Sequence, residues 1–176
     1  DHYLAESVAQ VDRLAAMVND ILRSGNVAEQ ALRQEKRLRI DKLVAEVVDD
    51  YMLLAKTRGM TFTVNTEPTT IRANRDMMRH VISNLVSNAV RHGDAGSVIK
   101  ITCNQHELAI ENACKPLTKQ QLQHVFDPFY RANTQAKQTP NNSGIGLYTV
   151  KMLLDTKGLN YEFVPVGRGM RFIVKL

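Results

Sequence analysis

Cysteine is scarce in this chain and tryptophan is absent. Cys103 and Cys114 are too few for a disulfide framework and lack metal-ligand spacing. Reduced thiols in a cytoplasmic setting are the simplest reading. No apolar run approaches the ~20 residues a membrane-spanning helix needs, and no signal peptide opens the chain. Aromatics make up only 6% of the 176 residues, and none interleaves the densest basic run, Arg33 to Arg39. Bases would find nothing to stack on there. The net charge of +5 therefore marks no nucleic-acid module, and the run, interrupted by Glu35, reads as a solvated face or linker. With 44% hydrophobic and 23% charged residues, the composition is that of a globular domain with an appendage.

The chain is organised in three stretches. Leu4, Val11 and Val18 recur every seven residues, with Leu14 and Ile21 at the complementary seam positions and Val8 and Leu22 beside them. Residues 1–26 thus form a helical arm that must bury its stripe against another helix, and Ser24-Gly25-Asn26 ends it. Residues 27–37 read as a linker and 38–176 as the globular domain. A short strand around Leu38 and Ile40 opens that domain. Asp41 then reads as the N-cap of a helix carrying Leu43, Val44, Val47, Val48, Tyr51 and Leu54, closed by Gly59. A strand follows over Thr61 to Val64. A second helix from Arg75 to Arg91 turns Met78, Val81, Ile82, Leu85, Val86 and Ala89 inward. Strands at 97–103 and 107–112 turn around Asn104. After a polar loop at 131–143 come a helix at 145–157 and a hairpin, 160–166 and 169–175. The pattern predicts a two-layer α/β (α+β) sandwich, its mixed sheet covered by helices on one face.

Three clusters carry polar chemistry. Asn84 and Asn88 lie one helical turn apart, with Arg91 and His92 a turn further on the same face. Two readings fit: asparagines that cap and solvate a helix, or amide oxygens for a divalent cation bridged to phosphates. Ser143-Gly144-Ile145-Gly146-Leu147 stands immediately before a helix. It is either an ordinary glycine-rich turn or a place where exposed amides meet phosphate. Phe126-Asp127-Pro128-Phe129-Tyr130-Arg131 groups three aromatics before the polar loop, and a plug anchoring that loop accounts for them as well.

In this order and spacing, the three resemble the ATP-binding domain of sensor histidine kinases, within the wider gyrase–Hsp90–kinase–MutL group. Asn84 to His92 looks like the family's asparagine box, Phe126 to Arg131 its phenylalanine box, and Ser143 to Leu147 its second glycine box. Arg13 to Leu22 resembles the second helix of the dimerisation and phosphotransfer hairpin. The resemblance implies ATP and Mg2+ as ligands, the metal on Asn88 and Asn84. It implies ATP contacts from Arg91, His92, Asn112, Phe126, Tyr130, Arg131, Ser143, Gly144, Ile145, Gly146 and Leu147, with 131–143 as a lid. The γ-phosphoryl would pass to a histidine and then to an aspartate on a response-regulator receiver domain. A homodimer, and a cytoplasmic domain of a membrane-anchored bacterial inner-membrane sensor, are the implied setting. Hydrolysing relatives carry a glutamate one turn before the magnesium asparagine. Here Asn84 stands there, and an amide is no general base.

Two departures qualify the match. The first glycine box, an aspartate with two spaced glycines, reads Asn112-Ala113-Cys114-Lys115-Pro116. Asn112 can accept from an adenine amino group, but a charge-assisted bond becomes a neutral one. A nucleotide-binding-impaired scaffold signalling by protein contacts is the alternative that this loop raises. No histidine stands in the phosphoacceptor pattern: His2 is incidental, and His80, His106 and His124 fall in the globular domain. The substrate histidine is expected upstream of residue 1.

Overall fold

The computed structural model describes residues 34–132 and 144–176. The expected arm at 1–26, most of the linker, and residues 133–143 of the expected lid lie outside the described residues, Ser143 among them. The elements are β1 (Lys36–Arg39), α1 (Ile40–Thr57), β2 (Thr61–Thr66), β3 (Thr70–Ala73), α2 (Arg75–His92), β4 (Val98–Cys103), β5 (Glu107–Ala113), α3 (Lys119–His124), α4 (Gly146–Lys157), β6 (Tyr161–Val166) and β7 (Gly169–Lys175). Among the described residues no helix is long and apolar enough to cross a membrane.

Five strands form one sheet in the order β2-β4-β5-β7-β6. β2 runs parallel to β4, and the other neighbours are antiparallel. Strand alternation divides the sheet into two unlike faces. Ile99 and Ile101 on β4, Leu108 and Ile110 on β5, and Phe172 and Val174 on β7 are buried on one face, in the same cluster as the inward sides of α1, α2 and α4. The other face carries ion pairs: Lys100 with Glu111, and Arg171 and Lys175 with Glu107. The expected mixed sheet with helices on one face is what forms. A separate two-stranded ribbon, β1 with β3, adjoins it.

The apolar stripe of α2 is buried as read, from Met78 through Ala89, with Met77 and Val90 buried as well, and α2 ties to α1 through Arg75 and Arg79 on Glu46 and Arg79 on Asp50. Three local expectations need correction, and two elements were missed. Ile40 belongs to the first turn of α1, not to the strand. Asp41 is not the N-cap. Arg39 holds that place, and the Asp41 carboxylate accepts from the Arg39 guanidinium (2.8 and 2.6 Å) and from the Thr69 N–H (3.1 Å). Leu54 is 40% exposed, while Ala55 turns inward instead. β3 and α3 were not foreseen at all. α3 is short and polar, but its Thr118–Gln121 capping box was there to be read.

Candidate functional site

Burying one face of α2 decides what its flank presents. With Leu85, Val86, Ala89 and Val90 in the core, Asn84 and Asn88 sit half-buried at the edge and Arg91 and His92 reach solvent. Among the described residues no side-chain hydrogen bond ties either carboxamide to a neighbour. Against this edge comes the start of α4. A Cβ built on Gly146 would lie 3.7 Å from the Asn84 Oδ1. The second glycine turn and the asparagine face, about sixty residues apart in sequence, are thus in contact.

The turn into α4 is held from behind by the phenylalanine box. Phe129 N–H donates to the Gly144 carbonyl at 3.1 Å, and Tyr130 N–H to Asp127 at 3.2 Å. Gly144 has φ +71°, and Phe129 itself takes φ +66°. A Cβ at Gly144 would meet the Phe129 carbonyl carbon and the Tyr130 oxygen at 2.9 Å, so only glycine allows this approach. Ile145 takes the N-cap place of α4 with its side chain in the core, and no side chain caps the helix. Its first-turn amides are left for solvent or an anion.

The structure brings some predicted residues together and places others elsewhere. Phe126 packs edge-on against Tyr161, Phe172 and Phe163 at 5.6, 6.2 and 6.4 Å, which makes it the anchor of its loop. The Tyr130 ring faces His124 at 5.8 Å. Leu147 packs against the core, so Leu147 and Ile145 can offer a ligand only main chain. The charge of Arg131, with those of Arg91 and Arg58, bears on His92 at the end of α2. Crowding by surrounding protein first, then these three guanidiniums, hold the His92 pKa below the ordinary imidazole value. The ring is therefore neutral at pH 7.

Asn112 is buried on the helix side of β5, its Nδ2 3.5 Å from the Ala113 carbonyl. Gly93 follows α2 directly beside it, and a Cβ there would lie 3.5 Å from that Nδ2. The Cys114 thiol, pushed up chiefly by burial, also meets the Asn112 side chain. Sequence reasoning missed Arg58. It closes α1, and its guanidinium reaches the end of α2; a basic residue before glycine gives no hint of that role.

Two amide oxygens one turn apart are hard donors of the kind magnesium accepts when phosphates and waters complete its shell. Among the described residues no three His, Cys, Asp or Glu side chains form a metal cage. The donor set therefore fits a cation shared with a phosphate ligand.

The family model described as histidine kinase-, DNA gyrase B-, and HSP90-like ATPase matches residues 73–176. Sensor histidine protein kinase HK06 of Streptococcus pneumoniae is 30% identical over 179 aligned residues, which cover 100% of this chain and 40% of that protein. Sensor histidine kinase CusS of Escherichia coli is 29% identical over 178, covering 98% and 37%. The chain thus spans about 40% of the length of such relatives. Among solved structures, full-length ShkA in complex with AMPPNP superposes with a TM-score of 0.76 at 20% identity, covering 99% of this chain and 38% of ShkA. Histidine kinase ThkA in complex with response regulator protein TrrA gives 0.71 at 18%, covering 100% and 50%. These two likenesses show the fold.

Proposed function

The chain belongs to the histidine kinase-, DNA gyrase B-, and HSP90-like ATPase family, and from that membership we propose that it is the ATP-binding catalytic unit of a sensor histidine kinase. The observation that carries this reading is the contact between Gly146 at the start of α4 and Asn84 on α2. It brings the Asn84 amide oxygen beside an uncapped helix N-terminus, with Asn88 one turn along α2 and the charges of Arg91 and Arg131 bearing on His92 at the helix end. A triphosphate uses all of these. Asn88, with Asn84, would hold magnesium, which when bound offsets charge on the phosphate oxygens. The amides at Gly144 and Gly146 and the two arginines orient the phosphates. Neutral His92 offers a hydrogen bond rather than a third like charge. Asn112 meets the base.

Asn84 stands where a carboxylate base would, and its amide cannot activate water. The γ-phosphoryl is held by position and charge for an outside nucleophile. That nucleophile is a histidine on the dimerisation hairpin of the parent protein, and the phosphoryl group then passes to a receiver-domain aspartate. ShkA was solved with a nucleotide analogue and ThkA with a response regulator, which supports a nucleotide ligand and a receiver partner by analogy. A homodimeric parent anchored in the inner membrane, with this domain on the cytoplasmic side, completes the reading.

Asn112 supports a second one. The residue is 93% buried and its amide already faces Ala113 and Cys114, so it is poorly placed to hold a base. A scaffold that no longer binds nucleotide would follow. Calorimetric titration with AMPPNP, with and without magnesium, separates the two. The kinase reading expects magnesium-dependent binding that Asn88→Ala weakens about tenfold or more. No binding by folded protein at millimolar analogue refutes it in favour of the scaffold.

A further inference from the structure

Arg58 ends α1, yet its side chain serves another helix. The guanidinium donates to the Val90 carbonyl, to the Arg91 carbonyl at 2.5 Å and to the Gly93 carbonyl at 3.0 Å. These oxygens belong to the last turn and cap of α2, where a helix leaves carbonyls without intrahelical donors and carries partial negative charge. The main chain of Arg58 is fixed in turn. Its N–H donates to Ala55 and its carbonyl accepts from Gly96 at 3.0 Å, so the α2–β4 connection is tied to the same residue. Behind it Gly59 packs against Gly96. One planar fork with several donors suits three carbonyls in a way a single ammonium cannot.

Arg91 and His92, the two groups at the end of α2 assigned above to the phosphates, ride on this turn. We infer that Arg58 is a positioning residue for the nucleotide site: its three-carbonyl cap sets the last turn of α2 and so aims Arg91 and His92. This rests on the nucleotide-binding reading for its consequence, but the geometric part stands apart from it. The electrostatic surroundings of His92 agree with the placement, since Arg58, Arg91 and Arg131 all bear on its ring.

The test compares the 176-residue chain with Arg58→Met, Arg58→Lys and, as a control outside the site, Gly167→Ala. AMPPNP affinity with magnesium is expected to fall about tenfold in Arg58→Met and about threefold in Arg58→Lys, and to hold in the control. NMR supplies the readout that general destabilisation would not move. The His92 titration shifts upward in Arg58→Met, because a neighbouring cation is gone, and the amide signals of Arg91 and His92 move in both Arg58 variants. Unchanged affinity and unchanged Arg91 and His92 signals in folded Arg58→Met overturn the proposal. If the parent chain binds no nucleotide, the kinase reading fails, and the NMR signals alone decide the role of Arg58. If Arg58→Met does not fold, Arg58→Lys decides by the same two measurements.

Discussion

Replacing Gly144 by alanine puts a methyl group where the backbone of the phenylalanine box already lies. The cost has two parts. A residue with a Cβ at φ +71° gives up about 1 kcal/mol relative to glycine. The new Cβ would also stand 2.9 Å from the Phe129 carbonyl carbon and the Tyr130 oxygen, and 3.1 Å from the Phe129 Cα. Main-chain atoms cannot rotate away, so relieving the clash costs about 1–3 kcal/mol more. Gly167, in the β6–β7 turn, isolates the first part: its φ is +56° and nothing lies within 4 Å of the position its Cβ would take. Gly167→Ala should therefore lower Tm by about 2–4 °C, and Gly144→Ala by about 5–10 °C. If the strain is released locally, the Phe129–Gly144 hydrogen bond opens and the turn leaves the asparagine face. Calorimetric titration would then show AMPPNP affinity falling about tenfold, with Gly167→Ala unaffected. A Gly144→Ala protein with the Tm of Gly167→Ala and parental nucleotide affinity would refute the claim that this turn is built on the phenylalanine box.

Two further perturbations probe the frame. The hydrogen bonds from Arg39, and then the Thr69 N–H, hold the Asp41 carboxyl well below the usual carboxylate range. A depressed folded-state pKa stabilises the fold at neutral pH, and this is lost as pH falls below the unfolded value near ~4. Asp41→Asn should cost about 1 kcal/mol at pH 7 in urea unfolding, and the difference from the parent should narrow progressively from about pH 4 down to pH 2; an equal difference at pH 7 and pH 2 would exclude the ion pair as its source. Phe126→Ala removes three edge-on ring contacts and should cost about 2–3 kcal/mol, short of a fully buried phenylalanine because Phe126 is only partly buried. A loss below ~0.5 kcal/mol in the same assay would mean that the box is not anchored there.

Periodicity was a reliable guide where burial is one-sided. The α2 stripe writes its inward face into the sequence and is buried, and β4, β5 and β7 form close to where strands were read. It was least informative where the structure depends on partners distant in sequence. β3 is four residues long, with Ile71 between exposed Thr70 and Arg72 and only Ala73 buried, and exists because β1 pairs with it. Asp41 has the composition of a cap but is drawn to Thr69, 28 residues away, by the ribbon that brings the two together. No local pattern predicts such a bond.

The same division runs through the candidate site. Residue types and spacing named Asn84, Asn88, Gly144 and Gly146, because a helix turn and a glycine-rich turn are local facts. What they could not give is the sharing of work among them. Phe126 and Ile145 have their side chains in packing, and the uncapped start of α4 presents main chain. Asn112 has its amide turned toward its own strand end, which no motif foretells. Arg58 outweighs these, because it caps a helix that begins 17 residues after it and ends at Arg91 and His92. Main-chain acceptors carry no sequence signature. A residue that acts through them becomes visible only when both helices are placed, and the geometry of a site can therefore depend on side chains outside every motif that announces it.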